Sequence, residues 1–185
     1  MIFQLQQVAA LQFGLYENPV PTGDIIYLQG INLVTELRHH SFNTFLPVDK
    51  VSPNHILQKN DILIASKGVS NKAIKYDGSF GPAVASSLFF IVKPDISQVL
   101  PDYLTIFLND IKTQNLLKSL AGTTTVPHIS KKDLAEITIP IPSIEKQKRI
   151  IVFIQHWQRE KQITKQLLQK KEQFYSSLFN QLIQK

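Results

Sequence analysis

Short apolar runs bounded by turn residues fill the first two-thirds of the chain, and a long repeat without Pro or Gly fills the rest. "DIIYLQG" (24–30) and "NDILIASKG" (60–68) have the length and the Gly, Asp and Asn borders of strands. "SKGVSNKAIKYDG" (66–78) reads as strand, glycine-bearing turn, second strand and Asp-Gly turn. "AVASSLFFIVKP" (83–94) is β-prone throughout and closes at a proline. A helix is predicted over 101–122. Pro101 opens it, Leu104, Phe107, Leu108, Ile111, Leu117 and Leu120 form its apolar stripe, and Gly122 suits its C-terminal end.

After that glycine comes "TTTVPHIS" and then "KKDLAEITIPIPS". Ser130 with Asp133 three residues on resembles a helix-capping pair, so a short turn of helix is expected there. Ile137, Ile139 and Ile141 alternate with polar residues and prolines, the period of a strand with one buried face. The prolines cannot donate to a ladder, which makes this an edge strand or an extended strap. From Ser143 to the end one helix of about 40 residues is predicted, roughly 60 Å long at 1.5 Å per residue. Ser143 suits its N-cap and Glu145 its first turn. Its outer apolar positions include Trp157, Ile163, Leu167, Phe174, Leu178 and Leu182, with coiled-coil-like spacing that the polar run "QREKQ" (158–162) interrupts. Such a helix cannot bury its whole stripe on a domain of residues 1–142, so its outer half needs a partner.

Composition adds three constraints. With 185 residues the chain is long enough for one sizeable core, and its 43% hydrophobic and 18% charged residues are ordinary for a globular protein. Cysteine is absent, which excludes disulfides and thiolate metal sites and fits a reducing cytosol. No basic-then-apolar leader or membrane-spanning run is visible, so a soluble, cytoplasmic, non-exported protein is expected, with no membrane partner. Charge is unevenly placed. Residues 1–142 hold eleven Lys/Arg and eleven Asp/Glu, whereas residues 143–185 hold nine and three, so the helix carries the whole net charge of +6. Any nucleic-acid binding by the globular part must therefore use local clusters.

Enzyme signatures are missing: there is no Walker A loop, G-x-G-x-x-G, G-x-S-x-G or H-E-x-x-H. "SIEK" (143–146) has the S-x-x-K spacing of some acyl-transfer enzymes, but its companion motifs are absent and a helix cap accounts for Ser143. "YENPVP" (16–21) superficially resembles the N-P-P-Y of adenine methyltransferases without the aromatic residue after the prolines or a cofactor loop. His39, His40, His55, His128 and His156 show no ligand spacing beyond the neighbouring pair, and a solvated helix face explains His156 with Glu160 better than a metal does. No metal is expected.

Two loops carry binding chemistry. Ser66, Lys67, Ser70, Asn71 and Lys72 surround Gly68, and such side chains reach phosphates and base edges. A plain polar hairpin tip explains them as well. Thr123, Thr124, Thr125 and His128, followed by Lys131 and Lys132 in the first turn of a helix, are the second set. Lysine there is unfavourable for the helix dipole unless an anion is present. The competing explanation is a β-prone connector whose threonines cap local backbone.

"AGTTTVPHISKKDLAEITIPIPSIEKQKRI" (121–150) closely resembles the segment that ends a target recognition domain in the specificity subunit of Type I restriction–modification systems. In that family a Gly-(Thr/Ser)-rich loop leads to a "HIS…DL…I.IP.P" strap and an "EQ.RI" helix start, here "EKQKRI". "NDILIASKGVSNKA" is similar to the family's "GDIL…G" hairpin, with Asn60 in place of the usual Gly. "PDYLTIFLND" is similar to its "P.YL..fL" helix, and "KKEQFYSSLFNQLI" to the close of its long helix.

The resemblance implies an α+β fold. Residues 1–142 would be a mixed, strand-rich target recognition domain, and 143–185 one long helix that pairs as an antiparallel coiled coil. It implies a non-catalytic reader of double-stranded DNA that directs methyltransferase (modification) and restriction subunits to a bipartite target. S-adenosylmethionine and ATP would belong to those partners, leaving no cofactor here. The DNA-binding candidates are then the two loops above, and the partner-facing residues those of the helix stripe. The family usually has two recognition domains and two long helices in one polypeptide, and this sequence shows one of each. A homodimer with antiparallel helices would rebuild the full subunit with two-fold symmetry. A basic interaction scaffold that reads no sequence is the competing expectation.

Overall fold

The computed structural model describes residues 1–30, 42–67, 71–122 and 127–183. Their fold is α+β, as expected. Nine strands are described: β1 (Ile2–Gln4), β2 (Ala9–Phe13), β3 (Ile25–Leu28), β4 (Phe45–Leu46), β5 (Ile62–Ala65), β6 (Ala73–Lys75), β7 (Ala83–Ala85), β8 (Phe89–Pro94) and β9 (Thr138–Pro140). The α-helices among the described residues are α1 (Leu5–Val8), α2 (Pro101–Leu108), α3 (Ile111–Leu120), α4 (Lys131–Ala135) and α5 (Ile144–Ile183). The chain divides into two units, Met1–Gln147 and Lys148–Lys185.

In the first unit an antiparallel sheet has the order β2-β8-β5-β6, and a second has the order β4-β3-β7 with β3 and β7 parallel. Leu63, Ala65, Phe89 and Ile91 of the first sheet pack with Ile26, Leu28, Ala83 and Ala85 of the second in one core. Strands buried on both faces read as unbroken apolar runs, which is why "ILIA" and "FFIV" show no alternation. The second sheet has a separate cluster of Ile25, Tyr27, Leu46, Val51 and Val84.

Two elements differ from the sequence pattern. The run 83–94 is two strands in different sheets, because the chain turns at Ser86–Leu88 with Phe89 N–H donating to the Ser86 carbonyl at 3.0 Å. The helix over 101–122 is two helices. Asp110 ends the first by capping the second, its carboxylate accepting from Lys112 N–H at 2.9 Å. The predicted end is present: Gly122 follows α3 at φ +74°, a left-handed conformation that favours glycine.

The strap forms as its alternation indicates. Ile137, Ile139 and Ile141 are buried, and β9 pairs antiparallel with β1, placing Pro140 opposite Ile2. This two-stranded sheet joins the N-terminal residues to the segment before α5. The first unit includes the first turn of α5 because Gln147 is fully buried. Its amide oxygen accepts from Leu100 N–H at 2.8 Å, and its nitrogen donates to the carbonyls of Gln98 and Pro142, both at 2.9 Å. The second unit is the remainder of α5, in which every described residue from Gln155 onward is exposed.

Candidate nucleic-acid interface

Strand β5 runs out into the first candidate loop, and the backbone there is held from two sides. Ser66 N–H donates to the Leu88 carbonyl at 2.8 Å, and Lys67 pairs with His128 as an antiparallel β-bridge. Ile129 N–H donates to the Ser66 carbonyl at 2.9 Å, and His128 N–H to the Ala121 carbonyl at 3.1 Å. The described flanks of the two candidate loops therefore meet at Ser66–Lys67 and His128–Ile129.

The return strand is fastened to the helices. Asn109 accepts from Ala73 N–H at 2.9 Å and donates to the Ala73 carbonyl at 2.7 Å, so its side-chain amide mimics a neighbouring strand. Gln114 donates to the carbonyls of Asn71 and Leu108 at 3.1 and 2.7 Å. Neither residue stood out in the sequence. The available signal was an Asn-Asp pair interrupting an apolar helical stripe.

The candidate side chains divide into inward and outward sets. Ser66 and Asn71 are buried: the Ser66 hydroxyl donates to the Leu88 carbonyl at 3.0 Å and the Asn71 amide to the Ala65 carbonyl at 2.8 Å. These bonds brace the hairpin, so both side chains face inward rather than outward as their residue types suggest. Buried donors are used internally because an unpaired one costs about 1–3 kcal/mol. Lys67, Lys72, His128, Lys131 and Lys132 are exposed. Ser70, Thr123, Thr124 and Thr125 lie outside the described residues.

The helix start at Ser130 is capped from within. Asp133 N–H donates to the Ser130 hydroxyl oxygen at 3.0 Å, and that hydroxyl donates to the Asp133 carboxylate at 2.5 Å. Asp133 also supplies the negative charge that the first turn prefers, so Lys131 and Lys132 there need no bound anion to explain them. What the surface offers is a set of cations on two joined loops, with the hairpin base made rigid by buried amides. Such a surface can hold phosphates by charge. No cluster able to hold a metal ion occurs among the described residues, and no described helix is long and apolar enough to cross a membrane.

Residues 48–173 match the model of the Type I restriction modification DNA specificity domain. The chain belongs to that family. The match covers both joined loops, the strap and most of α5. The specificity subunit of the Type I restriction enzyme HindI from Haemophilus influenzae is 26% identical over 126 residues, which are 66% of this chain and 28% of that protein.

Solved structures are similar in fold. The S subunit of a Type I restriction-modification system from M. genitalium superposes with TM-score 0.61 at 17% identity, over 86% of this chain and 39% of that one. The HsdS subunit from Thermoanaerobacter tengcongensis gives 0.64 at 15%, over 86% and 37%. A chain from a study of complex assembly and conformational transition of the type I R-M system gives 0.66 at 17%, over 86% and 38%. The chain thus spans well under half the length of these relatives.

Proposed function

We propose that this specificity domain reads a base sequence in duplex DNA and directs the modification and restriction subunits of a Type I system to it. The observation that carries this is the Lys67–His128 bridge, which brings two separately encoded cationic loops onto one surface inside the segment that matches the family. In this reading Lys67, Lys72, His128, Lys131 and Lys132 hold phosphates and fix register, and Ser70 and Thr123–Thr125 are further candidates by residue type. The chain does no bond chemistry itself. Methyl transfer and cleavage belong to the partner subunits with their S-adenosylmethionine and ATP, all in the cytoplasm.

The long helix completes the proposal. Trp157, Ile163, Leu167, Phe174, Leu178 and Leu182 are each between 40% and 66% exposed. Apolar positions repeated along a helix at that exposure mark a protein interface. A second copy of this helix, antiparallel and two-fold related, covers the stripe, and the methyltransferase subunits dock on the resulting pair.

The test is to express the chain with a Type I modification subunit and map methylated bases in the host DNA. One recurring bipartite motif is expected. Formation of the complex without any recurring motif would leave the interaction scaffold as the better account.

A further inference from the structure

Residues Tyr16, Glu17 and Asn18 belong to the stretch that superficially resembles a methyltransferase motif, and the structure gives them a different setting. Gly14 leaves β2 across the Ser86–Phe89 turn, where an added Cβ would lie 2.1 Å from the Ser86 carbonyl oxygen. Leu15 N–H then donates to the Ala85 carbonyl at 2.8 Å, and Leu15 pairs with Ser86. At the far end of the loop Val20 pairs with Phe45.

Between these ends one buried hydroxyl holds both neighbours of Tyr16. The Tyr27 hydroxyl donates to the Leu15 carbonyl at 2.9 Å and accepts from Glu17 N–H at 3.4 Å. Pro19 and Pro21 restrict the backbone further. Tyr16 itself is 84% exposed and Asn18 is exposed. A large aromatic ring presented on a backbone tied on both sides has little ordering cost left to meet if it binds.

This segment lies near the first lysine loop. Gly14 and Leu15 border one side of the Ser86–Phe89 turn, and Ser66 borders the other through its bonds to Leu88. Tyr16 and Lys67 each follow directly on those contacts. Two strand spacings, about 10 Å, separate such lines of backbone, less than the width of a DNA groove and its flanking phosphates.

The chemistry differs from that of the lysine loops. A carboxylate at Glu17 repels phosphate, whereas Glu accepts from cytosine N4, Asn pairs with adenine N6 and N7, and Tyr offers an apolar ring. The geometry points to Tyr16, Glu17 and Asn18 as a base-reading element, with the lysine loops supplying the phosphate contacts. This rests on the DNA-reading function proposed above and assigns specificity within it.

The test uses the full chain assembled with a modification subunit, with methylation mapped in the host. Tyr16→Ala, Glu17→Ala and Asn18→Ala are expected to relax the motif, each letting one position accept other bases with discrimination there lowered about ten- to a hundredfold. Tyr27→Phe keeps the core ring, frees the loop and should relax the same positions less. An unchanged motif in all three side-chain variants overturns the inference. Relaxation in Tyr27→Phe alone does too, since Tyr16, half-buried Glu17 and Asn18 would then read nothing. Loss of assembly in Tyr16→Ala would assign the loop to a protein contact and also overturn it. A wild-type complex that methylates no motif defeats the DNA-reading proposal itself and this inference with it, so the two failures are distinct.

Discussion

Lys67 and His128, from loops far apart in the sequence, pair as an antiparallel β-bridge and place two cationic segments side by side. If these segments hold DNA by its phosphates, Lys67→Ala and Lys72→Ala should weaken binding to all duplexes alike. Each should also reduce the slope of log affinity against log salt by about 1. Binding titrations at several salt concentrations measure this. A loss confined to one sequence would show that these lysines read bases instead.

Asn109 holds Ala73 through both backbone groups, so Asn109→Ala leaves a strand end unpaired. A loss of about 1–3 kcal/mol is expected in denaturant unfolding. The slope should stay unchanged, because the same surface unfolds. A midpoint equal to wild type would mean that water replaces the amide without cost.

Asn60 has φ +81°, in the left-handed region, at the position where the family resemblance implies glycine. Asn tolerates this conformation better than most residues but less well than Gly. Asn60→Gly should therefore be neutral or stabilising by up to about 1 kcal/mol, and Asn60→Val destabilising by about 1–2 kcal/mol. Thermal unfolding of the two variants checks the order, and the reverse order would refute it.

Leu167 and Phe174 are 54% and 63% exposed on α5. In the proposed antiparallel pair Leu167→Asp with Phe174→Asp places charge in the seam. Sedimentation should then change from dimer to monomer, with the unfolding of the Met1–Gln147 unit unaltered. A wild-type monomer at tens of micromolar would contradict the pairing.

Burial raises the pKa of Tyr27, and secondarily the nearby charge of Glu17 does so, while the bond from Glu17 N–H opposes both; burial likewise raises Tyr76 and Tyr103. The folded state therefore disfavours their ionised forms. Their contribution to stability is intact below the unfolded value of about 10 and is lost as pH rises toward the higher folded values. Tyrosinate absorbance during an alkaline titration should show Tyr27, Tyr76 and Tyr103 ionising late, together with unfolding.

Much of this architecture was legible because local chemistry and tertiary context agree. The Ser130–Asp133 cap, the alternating isoleucines of the strap, the end at Gly122 and the 40-residue helix all form where the pattern places them. The pattern failed where one apolar run serves two elements. Nothing in "AVASSLFFIVKP" distinguishes a single strand from two strands parted by Ser86–Leu88, since the run is β-prone throughout. Within the candidate surface, residue type identified the donors but not their direction. Ser66 and Asn71 look like any polar loop residues, and only the placement of Leu88 and Ala65 turns them inward. The tie from Tyr27 to both neighbours of Tyr16 was equally hidden, because it depends on where β3 passes beneath the loop.

Equilibrium binding of the assembled complex to its methylated motif and to a scrambled duplex, compared as salt is raised, decides whether base sequence is read. A preference of about a thousandfold or more for the motif should persist while non-specific binding falls away. Equal affinities that decline together with salt would contradict it.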